Sequence, residues 1–296
     1  MRPSLAAAAA LALFACAAAS LPAMASPTFP AAAKAAPPPV GDQDFLQSAA
    51  DSDLRSQQNK ARDRWRHPVD SLTFWGIRPG DVIVELDPGG GYWTEVLAAF
   101  ARDTGGRYIG ALPDPRDPKD GDEQKRQREQ FMARFGDQAR WGKVETTRFG
   151  PAPGPLAEPG SVDFILTGRN IHNFIERGDL DKVLSDAFAA LRPGGVLAVE
   201  EHRADPRPMV PEARDGYVSE AFVVSAARKA GFQLADRSEI NANPRDSKDH
   251  PFGVWTLPPS RASSPPDQPP NPGFDHARYD AIGESDRMTL RFVKPR

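Results

Sequence analysis

The chain has 296 residues, with 37 Lys and Arg against 40 Asp and Glu, and its formal net charge at pH 7 is −3. A charge balance with neither sign in clear excess argues against a nucleic-acid-binding surface. The single cysteine, Cys16, excludes an internal disulfide and leaves the chain beyond residue 25 without a thiolate nucleophile or a cysteine metal ligand.

The first 25 residues have the features of a secretory signal peptide: Arg2, an apolar run from Leu5 to Ala19, and the small-x-small site Ala23-Met24-Ala25. The apolar run is shorter than the roughly 20 residues that a membrane-spanning helix needs. We therefore expect export to the periplasm or the medium, without stable membrane insertion. An uncleaved N-terminal anchor and a lipid anchor at Cys16 are the alternatives. The Pro/Ala-rich residues 26–41 are predicted to be a flexible tether.

Beyond the tether, apolar runs of strand length alternate with segments of helical periodicity. The predicted strands are 82–86, 107–112, 143–149, 162–167, 196–199, 232–240 and 288–293, and the predicted helices between them are 92–100, 119–135, 180–191 and 217–230. This alternation predicts one α/β domain over residues 42–296, with a doubly wound sheet of seven strands. Residues 42–75 are predicted to be a solvated helical extension, and the Pro-rich residues 241–284 a low-complexity insertion before the last strand.

Residues 82–97 join a β-branched strand, a glycine turn and an amphipathic helix. In open α/β sheets this arrangement places a ligand at the carboxyl end of the strand, beside the free N–H groups of the helix. Glycine at 89 and 91 would let the backbone approach the ligand and adopt positive φ values. Thr94 stands where the dinucleotide fingerprint requires a third small residue, and the chain has no Walker lysine, so a dehydrogenase and a phosphate-binding loop are both disfavoured.

These residues resemble the class I methyltransferases that use S-adenosylmethionine (SAM), and among them a family of predicted exported bacterial methyltransferases. The resemblance extends from about Asp53 to Lys294. The segments that carry it are Arg66-His67-Pro68, Val84-Glu85, Pro88 to Glu95, Asn170 to Asn173, Leu191 to Gly195 and Ile282 to Arg287. It implies a Rossmann-like methyltransferase sheet, with SAM as the cofactor.

The resemblance also implies which residues meet the donor. Glu85 matches the acidic residue that opens the SAM motif, and Gly89 and Gly91 match its later glycines. Asp87 replaces the first glycine of that motif, where its carboxylate could bind the amino group of the donor or obstruct the donor. The fold usually places an acidic residue on the ribose hydroxyls after strand two, and Asp114 is the nearest substitute here.

Asn170 and His172 follow strand four, where this fold meets the methyl group and the acceptor, so both are candidate catalytic residues. His172 could be a general base, because the ordinary pKa of a histidine side chain lies near neutrality, or it could merely cap backbone groups in a loop. Glu200, Glu201 and His202 could contact the acceptor or lie in a solvated loop. With His172 they could ligate a metal, but no paired-His helix spacing supports this, and no metal is expected.

The leading hypothesis is therefore a SAM-dependent methyltransferase that acts on a small molecule, without a nucleic-acid partner. SAM is made in the cytoplasm, so an exported, non-enzymatic ligand-binding protein with a degenerate methyltransferase fold is the alternative. A hydrolase that uses Glu200, Glu201 and His202 is a third, weaker hypothesis, since the chain has no Gly-x-Ser-x-Gly elbow. Asp286 and Arg287 are predicted to form an ion pair that closes the insertion.

Overall fold

The computed structural model describes residues 40–296, apart from residues 117–120, 152–153 and 207. The predicted signal peptide, Cys16 and most of the tether lie outside the described residues. The first helix begins at Val40, so the last two residues of the predicted tether are helical. Within the described part of the chain, no helix is long and apolar enough to cross a membrane.

The described residues contain eight strands, and seven of these form one sheet, in the order β3-β2-β1-β4-β5-β8-β6. The strands are β1 Val82–Leu86, β2 Arg107–Pro113, β3 Val144–Phe149, β4 Val162–Gly168, β5 Leu191–His202, β6 Gln233–Ser238, β7 Pro251–Val254 and β8 Arg287–Val293. β1 pairs in parallel with β2 on one side and with β4 on the other, whereas β8 runs antiparallel to both β5 and β6. The predicted α/β fold with a doubly wound, seven-stranded sheet is confirmed.

Helices cover both faces of this sheet. The α-helices are α1 Val40–Asp51, α2 Gln57–Lys60, α3 Asp63–Arg66, α4 Pro68–Trp75, α5 Tyr92–Thr104, α6 Gly121–Phe135, α7 Gln138–Trp141, α8 Ile171–Arg177, α9 Leu180–Ala190, α10 Glu220–Lys229 and α11 Ala277–Ile282. Because successive strand residues point to opposite faces, Ile83 packs in the core layer with α4 and α5, and Val84 packs in the layer with α8 and α9. Burial on both faces explains the continuous apolar run of β1.

The N-terminal extension is part of the core, so the prediction of a solvated helix is wrong. Leu72 and Trp75 on α4 are fully buried, and Trp75 Nε1 donates a hydrogen bond to the carbonyl of Leu290 on β8 at 3.1 Å. The side chains of Arg55 and Arg66 are also buried, because each pairs with a carboxylate. A count of charged residues alone does not reveal such pairing.

The insertion is ordered by buried polar contacts and is not the featureless loop that its composition predicts. It contains β7 and α11. The Asn243 side chain donates to the carbonyls of Ile282 and Glu284 at 3.0 and 2.7 Å, and Asp246 accepts the backbone N–H of Asp286 at 2.8 Å. These bonds fix the insertion against the start of β8, so that it can form one wall of a cavity.

Candidate active site

The candidate site lies at the carboxyl end of β1, where the chain direction across the sheet reverses between β2 and β4. Two cavities open there, of about 200 and about 640 Å³. Both are lined by Asp87, Gly89 and Gly90 of the glycine turn and by Asn173 of α8. The turn therefore separates two adjoining spaces at the position where this class of sheet binds its ligands.

Left-handed backbone geometry explains the composition of the turn. Asp87, Gly89 and Gly91 have φ values of 51°, 53° and 73°. Glycine adopts such angles freely, and Asp is among the few other residues that tolerate them. Asp87 thus adopts a backbone conformation that suits glycine, and it adds a carboxylate.

Gly91 lines neither cavity, and its role is in packing. A Cβ atom on Gly91 would lie 2.4 Å from the ring of Phe135 on α6. Gly90, which the sequence analysis did not select, lines both cavities, and a Cβ atom there would meet nothing within 4 Å. The motif spacing predicted the position of the turn. Only the structure shows that Gly89 and Gly90 line the cavities, whereas Gly91 packs against α6.

Glu85 is buried on β1 and joins three elements of the fold. Its Oε2 accepts hydrogen bonds from Tyr108 on β2 at 2.6 Å and from Thr94 on α5 at 2.9 Å. Burial raises the pKa of Glu85 to about 8, against the lowering effect of these two hydrogen bonds. Glu85 also lines the smaller cavity, so the predicted cofactor residue lies at the site while supporting the sheet beneath it.

Asp87 is the acidic group between the two cavities. Its Oδ2 lies 3.8 Å from Nη1 of Arg177 at the end of α8. Burial raises the pKa of Asp87, and the positive charge of Arg177 opposes this shift. Among the described residues the Asp87 carboxylate has one long ion pair, so it can accept further hydrogen bonds from a ligand.

The structure places Asp114 just after β2 but outside the lining of both cavities. Its carboxylate forms an ion pair with Arg116 at 2.5 Å, and hydrogen bonding to Arg116 lowers the pKa of Asp114 to about 2. A ribose contact by Asp114 remains a prediction, and the Arg116 pair would have to open for it.

His172 lies in the first turn of α8, so the prediction that it sits in a loop is wrong. Its Nδ1 lies 3.0 Å from Oε1 of Glu201, and its backbone N–H donates to Oε2 of Glu201 at 3.2 Å. The backbone N–H of His202 donates to the same carboxylate at 2.7 Å. A carboxylate accepts hydrogen bonds, so Nδ1 of His172 carries a proton, and in the neutral ring Nε2 is the nitrogen with the lone pair.

Glu200, Glu201 and His202 are buried because β5 extends to His202, three residues beyond the predicted strand end. The solvated-loop alternative is therefore wrong. His202 Nδ1 lies 2.5 Å from the hydroxyl of Ser285, and burial lowers the pKa of His202 well below its usual value. Ligand atoms of His172, Glu201 and His202 all lie within 4.8 Å of one another, so the set that sequence analysis set aside as metal ligands does meet in space.

Asn170 ends the loop after β4 and holds the glycine turn in place. Its side-chain amide donates to the carbonyls of Leu86 and Asp87, both at 3.0 Å. Because these bonds use the amide donor, the geometry supports a positioning role for Asn170. The predicted catalytic role has no direct support in these contacts.

Ion pairs and wall residues around the smaller cavity differ in part from the sequence prediction. Asp286 pairs with Arg203 at 2.8 Å, whereas Arg287 pairs with Glu284 and Glu200 at 2.9 and 3.0 Å, so the predicted Asp286–Arg287 ion pair is wrong. Arg62, Arg169 and Trp255 line the smaller cavity and lie outside every motif segment, whereas Trp93 and Ser285 lie within such segments but were not selected as site residues. Only the folded structure shows that these residues line one cavity at this end of the sheet.

No family model matches the chain, and no curated protein matches it. Among solved structures, it is similar to a SAM-dependent methyltransferase from Aquifex aeolicus, with 18% identity over 68% of this chain and 93% of that one and a TM-score of 0.46. It is also similar to the structure of the Haloferax volcanii Trm112 methyltransferase activator with its putative methyltransferase, with 19% identity, coverage of 86% and 99%, and a TM-score of 0.46. The cyclase SpnF shares 16% identity over 85% and 92%, with a TM-score of 0.49. These similarities concern the fold and indicate no substrate.

Proposed function

We propose that the chain is a SAM-dependent methyltransferase acting on a small molecule, and that His172 is its general base. The observation that supports this most is the meeting of three features at one point: the glycine turn, two adjoining cavities and the His172–Glu201 pair. One space would hold the donor, and the other would hold the acceptor beside a base.

The residues at the turn fit the donor. SAM supplies an electrophilic methyl group and carries an ammonium group, to which the carboxylate of Asp87 is complementary. The larger cavity extends from the turn along the ends of β1 and β2 to Phe131 of α6, where an apolar ring faces the space. The N-terminal turn of α5 adds backbone N–H groups and the positive end of its dipole.

In this proposal the smaller cavity would hold the acceptor, whose nucleophilic atom would give its proton to Nε2 of His172. SAM, when bound, would supply the methyl group: its sulfonium C–S bond would break as the new bond to the acceptor forms, and S-adenosylhomocysteine would leave. Glu201 keeps the imidazole in the tautomer that can take this proton, and it stabilises the imidazolium that forms. Trp93, Trp255 and Pro258 supply apolar surface that limits water around the reacting atoms. Asn170 fixes the glycine turn relative to α8.

Isothermal titration of the full chain with SAM and with its demethylated product tests donor binding. Transfer of a labelled methyl group to a panel of small alcohols, phenols, amines and thiols then tests the activity. We expect both adenosyl compounds to bind. Absence of heat from either compound at high concentration would contradict the proposal.

A non-enzymatic binding protein is the second candidate, and the pairing of Asp114 with Arg116 favours it, because that carboxylate is not free for a ribose. Replacing Asp87 by glycine separates the two functions. If the site has degenerated and Asp87 obstructs it, Asp87→Gly should gain affinity for SAM. If Asp87 holds the donor, the same change should lose affinity.

A further inference from the structure

We infer that four arginines beside the smaller cavity form a binding site for an anionic group, a carboxylate or a phosphate, of the methyl acceptor. The four are Arg62, Arg66, Arg169 and Arg287, and we refer to them as the arginine cluster. The anion site follows from the geometry alone. Its assignment to the acceptor rests on the proposed function.

The arginine cluster holds more positive charge than its partners neutralise. Arg62 and Arg66 donate through Nε to the two oxygens of Glu284 at 2.6 and 2.8 Å. Arg287 Nη1 lies between Glu284 and Glu200, at 2.9 and 3.0 Å. Arg169 interacts electrostatically with Glu200 and Glu284 and with the other three arginines. Four guanidinium groups thus face two carboxylates, which leaves two positive charges in excess.

Four buried guanidinium nitrogens of the cluster have no acceptor among the residues that the structure describes. Nη1 and Nη2 of Arg66, Nε of Arg169 and Nε of Arg287 are buried, and none has a hydrogen-bond partner in the described part of the chain. Buried donors are nearly always paired, and charged donors cost most when they are not. Burial, with a further contribution from Arg169, lowers the pKa of Arg66 to about 9, so a bound anion would relieve an unfavourable charge.

Arg169 is the member of the cluster best placed to contact a ligand. Its side chain lines the smaller cavity and makes no hydrogen bond or salt bridge with any residue that the structure describes. Its backbone adopts φ of 61°, held by an N–H to the carbonyl of Glu200 at 2.6 Å. A left-handed conformation is uncommon for arginine, and such strain is concentrated at functional sites.

The position of the cluster favours the acceptor over the donor. Arg62 and Arg169 line the smaller cavity together with His172 and the insertion residue Trp255, whereas no member of the cluster lines the larger cavity. A base acts on the acceptor, so the acceptor must share its cavity. The volume of about 200 Å³ suits a small acceptor, whose anionic group would lie against Arg62 and Arg169.

The test measures binding of inorganic phosphate and of acetate to the full chain by calorimetry and thermal shift, alone and with saturating S-adenosylhomocysteine. The variants are Arg169→Gln, Arg169→Lys, and Arg107→Gln as a matched control. Arg107 pairs with Glu145 on the surface, away from both cavities. If phosphate binds more tightly than acetate, the acceptor carries a phosphate group, and if acetate binds more tightly, it carries a carboxylate.

We expect wild type and Arg107→Gln to bind an anion with and without the adenosyl compound. Arg169→Gln should weaken anion binding by about tenfold or more, since a charge-assisted contact is lost, and Arg169→Lys should retain part of it. Affinity for S-adenosylhomocysteine should not change. Anion binding that is absent, or equal in Arg169→Gln and wild type, would overturn the inference.

Two further outcomes separate the possible errors. In the first, S-adenosylhomocysteine displaces the anion, and Arg169→Gln weakens the binding of S-adenosylhomocysteine but not of 5′-methylthioadenosine, which lacks the carboxylate. The cluster would then bind the donor, and the assignment to the acceptor would be overturned. If neither adenosyl compound binds while anions bind through Arg169, the proposed function fails and the anion site is supported.

Discussion

The carboxylate of Glu201 accepts two N–H groups of His172, the ring Nδ1–H at 3.0 Å and the backbone N–H at 3.2 Å. The two contacts fix both the position and the tautomer of the imidazole on α8. General-base catalysis requires an imidazole held in this way at the wall of a cavity, with Nε2 as the nitrogen that takes the proton.

Replacing His172 by Asn should lower kcat for methyl transfer by roughly 10²–10⁴-fold, the usual contribution of a positioned base. Glu201→Gln should also lower kcat, because Gln does not favour the required tautomer. Affinity for SAM should be nearly unchanged in both variants, as titration would show. A His172 that serves only the fold would alter stability and leave kcat and its pH profile as in wild type.

His250 provides the matched control for these variants. Its Nε2 lies 2.8 Å from Asp246, so it forms another buried His–carboxylate pair, but it does not line the cavity with His172. His250→Asn should lower the melting temperature and leave the kcat of the folded fraction unchanged. A similar loss of kcat in this control would show that the effect is structural.

Asp87→Gly should weaken SAM binding by about tenfold or more, because a charge-assisted contact to the ammonium group is removed. The backbone should accept the change, since φ of 51° at this position suits glycine. Titration calorimetry gives the affinity, and a urea melt checks stability. Tighter binding of SAM would instead support the degenerate binding protein.

Gly91→Ala should destabilise the fold by roughly 1–3 kcal/mol or more, because the new methyl group would overlap the Phe135 ring at a backbone angle of 73°. Gly90→Ala is the control, since a Cβ atom there meets nothing within 4 Å. Its free energy of unfolding should stay within about 1 kcal/mol of the wild-type value. Equal destabilisation of both variants would contradict the packing role of Gly91.

Glu85 should make stability depend on pH. Burial raises its pKa in the folded chain to about 8 from 4.5, so the folded state retains a proton that the unfolded state releases. Its contribution is therefore fully present below about pH 4.5 and is lost as the pH rises towards 8, by on the order of a few kcal/mol. Urea melts at pH 5, 6.5 and 8 should show this decline in wild type and a smaller one in Glu85→Gln. Parallel declines would contradict the assignment.

Chelation tests the alternative use of His172, Glu201 and His202 as metal ligands. If the His172–Glu201 pair acts as a base, dialysis against EDTA should leave methyl transfer unchanged, and added Zn²⁺ should inhibit it by occupying the imidazole nitrogens. Loss of activity on chelation, restored by a divalent metal, would identify the cluster as a metal centre.

The sequence by itself determined the sheet. Each of the seven predicted strands corresponds to a strand of the sheet. Burial on both faces of the sheet requires a continuous apolar run such as 82–86. The glycine turn could be predicted because few other residues adopt its left-handed backbone angles. The local pattern also placed Asn170 and His172 just after the end of β4. These are properties of short segments, so they can be read from neighbouring residues.

Only the tertiary structure shows which side chains form hydrogen bonds and ion pairs with one another. Glu201 meets His172 across 29 positions, and Glu284 meets Arg62 and Arg66 across more than 200, and no local periodicity specifies pairing at such separations. The fold also buries the side chains of Arg66, Glu200 and His202, although residues of these types are more often found at the solvent-exposed surface. The insertion became a cavity wall for the same reason, since Asn243 and Asp246 form their bonds with residues some 40 positions away.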